Sequence, residues 1–138
     1  MARLRSLLGP APVSIDAALL VLRLAFGLAL ALAHGLSKVA DLPKFTAGLA
    51  GRGMPVPELL APLAALSEFA GGLLLAVGLF TRPAAFFVLV TMLVAALHIH
   101  AADPFQKKEL ALAYAVVAIV LLLAGPGRYS LDARFWRR

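Results

Sequence analysis

The chain has 138 residues, of which 62% are hydrophobic and 14% charged, with a net charge of +6 and no cysteine. That balance is far more apolar than an ordinary soluble domain and points to a membrane protein. Without a thiol the chain holds no disulfide, Cys-x-x-Cys pair or cysteine-ligated cluster of its own, and its basic residues flank apolar runs, where lipid headgroups rather than nucleic acid meet them.

Four apolar runs, at about 15–39, 59–80, 83–101 and 110–124, each approach the length that crosses a hydrocarbon core of about 30 Å at about 1.5 Å per residue. The expected architecture is all-α: an integral membrane four-helix bundle forming a single domain over 1–138, with a short interfacial segment between helices 1 and 2. Arg3 and Arg5 precede the first run as they would in a signal peptide. That run is longer than a secretory core of about 7 to 15 residues and is interrupted by Arg23, so it reads as a retained helix.

Helix 1 opens after Pro10 to Ser14, with Ser14 or Asp16 able to cap its free amides. Arg23, Gly27, Ala31, His34 and Lys38 follow at spacings that stack them on one face. On that face Gly27 and Ala31 permit close helix contact, Lys38 reaches the interface, and Arg23 is too deep to do so easily. Between Ala40 and Val56, Leu42, Phe45 and Leu49 fall at helical spacing among Gly and Pro, as in a short interfacial helix or a simple loop. Helix 2 carries Ala61, Ala65, Glu68, Gly72 and Ala76 on one stripe, which turns Glu68 into the bundle.

Helix 3 is expected to start at Pro83, with Thr91, Ala95, His98 and Ala102 as its inward stripe. His98 and His100 are two apart and cannot share a face, so His98 is the interior candidate. Helix 4 has Tyr114 as its mid-span polar group and stops at Gly125-Pro126-Gly127. A basic tail from Arg128 to Arg138 follows, with Tyr129, Phe135 and Trp136 as interfacial anchors.

Seven basic residues (Arg3, Arg5, Arg82, Arg128, Arg134, Arg137, Arg138) fall on one side of four spans and five (Lys38, Lys44, Arg52, Lys107, Lys108) on the other, which puts both termini in the cytoplasm. Depths from that side are ~12 Å for Arg23, ~16 Å for Tyr114, ~18 Å for Glu68, ~22 Å for His98 and ~28 Å for His34. Arg23 is therefore expected to pair with Glu68, easing the cost of both charges. Above them Lys38, His34, His98 and Glu109, with Tyr114 at the level of the pair, would line a pocket open to the far side. A metal shared by His34, His98 and Glu68 is disfavoured by a spread of ~10 Å along the membrane normal, so no metal site is assigned.

Arg23 with Gly27, Gly35 and Lys38; Gly-Met-Pro at Gly53 to Pro55; Glu68 with Gly71 and Gly72; Gly78 followed by Thr81-Arg82-Pro83; and the closing Gly125-Pro126-Gly127-Arg128-Tyr129-Ser130-Leu131-Asp132 occur in an order that resembles the DoxX family of small bacterial membrane proteins. The resemblance spans about 15–132. It implies a four-helix protein of the bacterial inner membrane linked to redox systems, with relatives that look like a membrane subunit of a thiosulfate:quinone oxidoreductase and others tied to oxidative-stress complexes.

Two functions follow. In the first, the polar ladder binds a quinone or lipid, because a quinone head needs hydrogen-bond donors and a proton route inside an apolar cavity. The chain has no flavin or nucleotide motif and no bis-histidine haem pair, so it carries no cofactor of its own and electrons would come from a redox partner protein. In the second, the chain is a non-enzymatic membrane scaffold or assembly factor, open to packing as a homo-oligomer, in which Arg23 and Glu68 clamp helices together.

Overall fold

The structure, a computed structural model, describes residues 14–136. Arg3, Arg5, Arg137 and Arg138, which enter the charge count above, lie outside the described residues. The elements are α1 (Ile15–Ala40), α2 (Leu42–Ala50), α3 (Pro57–Val77), α4 (Thr81–Ile99), α5 (Phe105–Ala124) and α6 (Leu131–Phe135). Among the described residues every regular element is helical. Three helices, α1, α3 and α4, are long and apolar enough to cross a membrane.

The fourth long helix differs from its expected bounds. It begins at Phe105, so Lys107, Lys108 and Glu109 lie inside its opening turns and 110–124 is its apolar part. At about 1.5 Å per residue those positions cover about 22 Å, short of a hydrocarbon core of about 30 Å.

Local chemistry sets the ends of each helix. Ser14 caps α1 by accepting from the Ala17 amide at 3.3 Å, and Asp41 caps α2 by accepting from the Lys44 amide at 3.2 Å, with Pro43 in the first turn of α2. Residues 42–50 thus form a helix rather than a loop. Helix α3 stops earlier than hydropathy suggests, because Gly78 adopts φ +71 and leaves Leu79 and Phe80 as a turn. Helix α4 starts earlier, at Thr81, and Pro83 then occupies its first turn, where a missing amide costs nothing.

Chain direction alternates, which sorts the loops into two ends. One end holds the start of α1, the α3–α4 turn and α6. The other holds the finish of α1, helix α2 and the α4–α5 loop.

Helices α1 and α3 cross closely because small residues line both. A Cβ on Gly27 would lie 2.5 Å from the Gly72 carbonyl oxygen, and one on Gly72 would lie 2.9 Å from the Ala31 amide. Such backbone-to-backbone packing is how helices associate in lipid, where the hydrophobic effect between them is absent. At this crossing α1 widens into a π turn over Leu30–Gly35, with the Leu36 amide reaching the Ala31 carbonyl, and Leu30, Ala31 and Gly35 are all buried. Helix α4 ends in a second π turn, Ala95–Ile99.

Helix α5 lies along α4, and Val88, Met92, Ala118 and Leu121 are buried in the core that these helices share with the rest of the bundle, with Val88 facing Gly71 of α3. Leu24, Leu28 and Leu32 on α1, Phe86 and Phe87 on α4, and Val116 and Leu123 on α5 are exposed, as side chains facing lipid must be.

Candidate functional site

Two charged groups are buried among the described residues, and each has found a partner other than the one sequence spacing suggests. Arg23 is fully buried and does not reach Glu68. Its guanidinium donates to the carbonyls of Leu75 (3.4 Å), Ala76 (3.2 Å) and Tyr129 (2.7 Å). Glu68, 2% exposed, instead accepts from the Lys38 ammonium through both carboxylate oxygens. The Arg23–Glu68 pair expected from depth is therefore corrected to Lys38–Glu68.

The reason is side-chain direction. A helical side chain leans toward the amino terminus of its own helix. Helices α1 and α3 run antiparallel, so Arg23 leans toward one end of the molecule and Glu68 toward the other. Depth alone brings them within reach; their Cα–Cβ bonds carry them apart. Lys38 leans back down α1 while Glu68 leans up α3, and the two meet. Arg23 meets carbonyls in the last turn of α3, at the negative end of the helix dipole, where backbone donors run out: Leu75 shares its carbonyl with the Gly78 amide at 3.2 Å.

Arg23 thereby ties the closing loop to the helices. The Asp132 carboxylate accepts from the amides of Phe80 (2.8 Å) and Thr81 (2.9 Å) at the start of α4, and the Asp132 amide donates to the Gly78 carbonyl at 2.8 Å. Asp16 accepts from the Arg128 amide at 2.8 Å, and Ser130 caps α6 by accepting from Ala133 at 3.1 Å. A Cβ on Gly78 would collide with the Arg23 guanidinium, so that position needs glycine for space as well as for its φ. The segment Gly125 to Asp132 is thus a strap over one end of the helices. The hydroxyl of Thr81 and Nε of Arg23 have no hydrogen-bond partner among the described residues.

The other site lies around Lys38, whose side chain is 27% exposed and whose ammonium sits 5.0 Å from the Phe45 ring of α2. On the neighbouring turn His34 is half-buried and packs edge-on against Tyr114, with ring centroids 5.8 Å apart. Phe26 holds the other side of Tyr114 at 5.6 Å. Tyr114 is 6% exposed, so α5 brings a phenol to the α1–α3 pair.

Two residues assigned to this pocket by depth do not join it. His98 is exposed, because the core face of α4 is set by Ala85, Val88, Met92 and Ala96, and a residue two positions past Ala96 points away. Thr91, placed on the inward stripe with it, satisfies its hydroxyl on the Phe87 carbonyl at 2.9 Å. Glu109 is exposed in the first turns of α5, before that helix reaches the core.

His100 is half-buried in the α4–α5 loop and bonds through Nδ1 to Asp103 at 2.6 Å, with Arg52 donating to the Ile99 carbonyl at 3.1 Å beside it. The His100 hydrogen bond holds the Asp103 carboxyl below its ordinary range. Among the described residues no group of three His, Asp or Glu could hold a metal ion.

An open groove of about 500 Å³ lies between α2 and α3, lined by Leu42, Pro43, Thr46, Ala47, Ala50, Glu58 and Pro62; Glu68 is not in its wall. Sequence spacing overlooked Asp132 as an amide cap and Lys38 as the partner of Glu68. Both were accessible: Asp132 as an acid positioned for a helix start, and Lys38 from the lean of side chains on antiparallel helices.

No solved structure matches the chain. An uncharacterized protein of Haemophilus influenzae is 34% identical over 112 residues, covering 76% of this chain and 81% of the relative. The family model described as DoxX matches residues 18–101, a range that takes in Arg23, Lys38, Glu68 and the turn at Gly78. With that match over more than half its length, the chain belongs to the DoxX family.

Proposed function

We propose that the chain is a membrane subunit of a redox-linked system, in which the Lys38–Glu68 pair receives the polar head of a quinone-type amphiphile and a partner protein supplies the electrons. The observation that carries this reading is a carboxylate 2% exposed joined to an ammonium that is 27% exposed on the side covered by α2. An ion pair inside a membrane stabilises no more than an apolar pair of the same shape, so packing alone does not call for it. Lys38 and Tyr114 supply donors suited to a carbonyl oxygen, and His34 beside Tyr114 supplies an imidazole whose two ring nitrogens donate or accept hydrogen bonds.

In this reading α5 also crosses the bilayer, giving a four-helix bundle in the bacterial inner membrane with both termini cytoplasmic, and α2 lies in the opposite interface. The alternative is a scaffold or self-associating subunit with no ligand. Arg23 favours it at one end only: all three of its hydrogen bonds are to backbone carbonyls, a wholly structural use of the charge.

Purification from membranes followed by extraction and mass spectrometry of bound quinone, lipid or pigment tests the reading. The wild type should carry a stoichiometric quinone-type amphiphile. Glu68→Gln and the double variant Lys38→Met/Glu68→Met, both close to wild-type stability, should lose it while remaining monodisperse, and Arg23→Met, destabilised at the other end of the molecule, should retain it. A wild type with no bound amphiphile, or retention in both pair variants, would refute the site and leave the scaffold.

A further inference from the structure

We propose that the strapped end of the molecule carries a docking surface for anionic phospholipid headgroups, formed by Arg82, Arg128 and Arg134 with Tyr129 and Trp136. This surface is separate from the Lys38–Glu68 site, which sits between α1 and α3 and opens under α2.

The acids of this end are already in use. Asp132 spends both carboxylate oxygens on the amides of Phe80 and Thr81, and Asp16 accepts from the Arg128 amide. Both carboxylates therefore answer backbone donors. The cations are left outward: Arg82, Arg128 and Arg134 are all exposed, and none makes an ion pair among the described residues.

The fold also gathers them. Arg82 follows Thr81, whose amide is held by Asp132; Arg134 is two residues beyond Asp132 on α6; and the Arg82 guanidinium reaches to 4.0 Å from where a Gly125 side chain would begin. Arg128 lies over the Tyr129 ring, 5.3 Å from its centroid.

Aromatic rings complete the surface. Tyr129, Phe135 and Trp136 are all at least half exposed. Amphipathic rings beside guanidinium groups at the end of apolar helices match the depth at which headgroup phosphates lie. Guanidinium forks bind phosphate oxygens in pairs, which favours an anionic phosphodiester over a zwitterionic headgroup whose own ammonium competes.

Trp136 is the single tryptophan of the chain and is 69% exposed at this surface, so its fluorescence reports the lipid beside it. The full-length protein is reconstituted into vesicles of phosphatidylcholine containing brominated phosphatidylglycerol or brominated phosphatidylcholine at equal fractions. The expected result is preferential quenching by phosphatidylglycerol at low salt, falling as ionic strength rises. Arg82→Gln/Arg128→Gln/Arg134→Gln should lower the relative affinity on the order of a hundredfold, the scale for three basic groups at an anionic surface. Lys107→Gln/Lys108→Gln, at the other end, should leave it unchanged. Equal quenching by both lipids in the wild type, or a preference the triple variant keeps, would overturn the proposal. Abolition of the preference by millimolar inorganic phosphate at constant ionic strength would also overturn it, by showing a site for the free anion.

Discussion

Breaking the Lys38–Glu68 pair from its two sides should have unequal effects. Lys38→Met leaves Glu68, 2% exposed, without its cation between two closely crossed helices. Removing one partner of a buried pair costs about 3–5 kcal/mol, because the remaining charge has lost both solvent and counterion. Glu68→Gln is milder. The Gln carbonyl still accepts from the ammonium, and Lys38, 27% exposed, can extend its stem toward the near interface, so the expected cost is about 1 kcal/mol. Replacing both residues with methionine restores an apolar contact and should come within about 1 kcal/mol of the wild type. Equilibrium unfolding in mixed micelles of dodecyl maltoside and sodium dodecyl sulfate measures all three. The reasoning fails if Glu68→Gln costs as much as Lys38→Met, or if the double variant costs the sum of the singles.

Three further outcomes follow from the geometry. Arg23→Met should destabilise by about 2–4 kcal/mol, since three carbonyls lose a charged donor, and should raise hydrogen exchange at the Phe80 and Thr81 amides as the strap loosens; unchanged protection there would contradict the strap. Gly72→Ala forces its methyl against the Gly27 carbonyl and should cost about 1–3 kcal/mol, whereas Gly48→Ala, on the open face of α2 with nothing within 4 Å, should stabilise by about 0.5–1 kcal/mol in the same unfolding assay. The Asp103 carboxyl, held low by its His100 hydrogen bond, contributes order to the α4–α5 loop that is present above the ordinary carboxylate range near 3.9 and lost as pH falls through its lower folded value. His100→Gln should raise the Asp103 titration midpoint toward the ordinary value, as read by carboxyl carbon NMR; a midpoint unmoved by the substitution would assign the shift to another cause.

Much of the fold is legible in local pattern. The helices lie close to where apolar runs and stop signals put them, and the errors at Gly78, Thr81 and Phe105 come from turns and charged helix starts that hydropathy does not register. The buried stripe of α3 was legible because Ala61, Ala65, Glu68, Gly72 and Ala76 share one helical face. The face of α4 was not, since Thr91 and His98 looked like an inward polar stripe while Ala85, Val88, Met92 and Ala96 in fact form the buried one.

The candidate site divides the same way. By itself the sequence determined that Arg23 and Glu68 would be buried and would need partners, because a charge in an apolar helix cannot go unanswered. Which partners they have was decided only in the tertiary structure. Two antiparallel helices throw their side chains in opposite directions, so the acid met Lys38, and the arginine met the last-turn carbonyls of α3 and the returning loop at Tyr129. Spacing along one chain records which face a residue occupies; the lean of that residue relative to a neighbour depends on how the two helices run, and that exists only once they are packed.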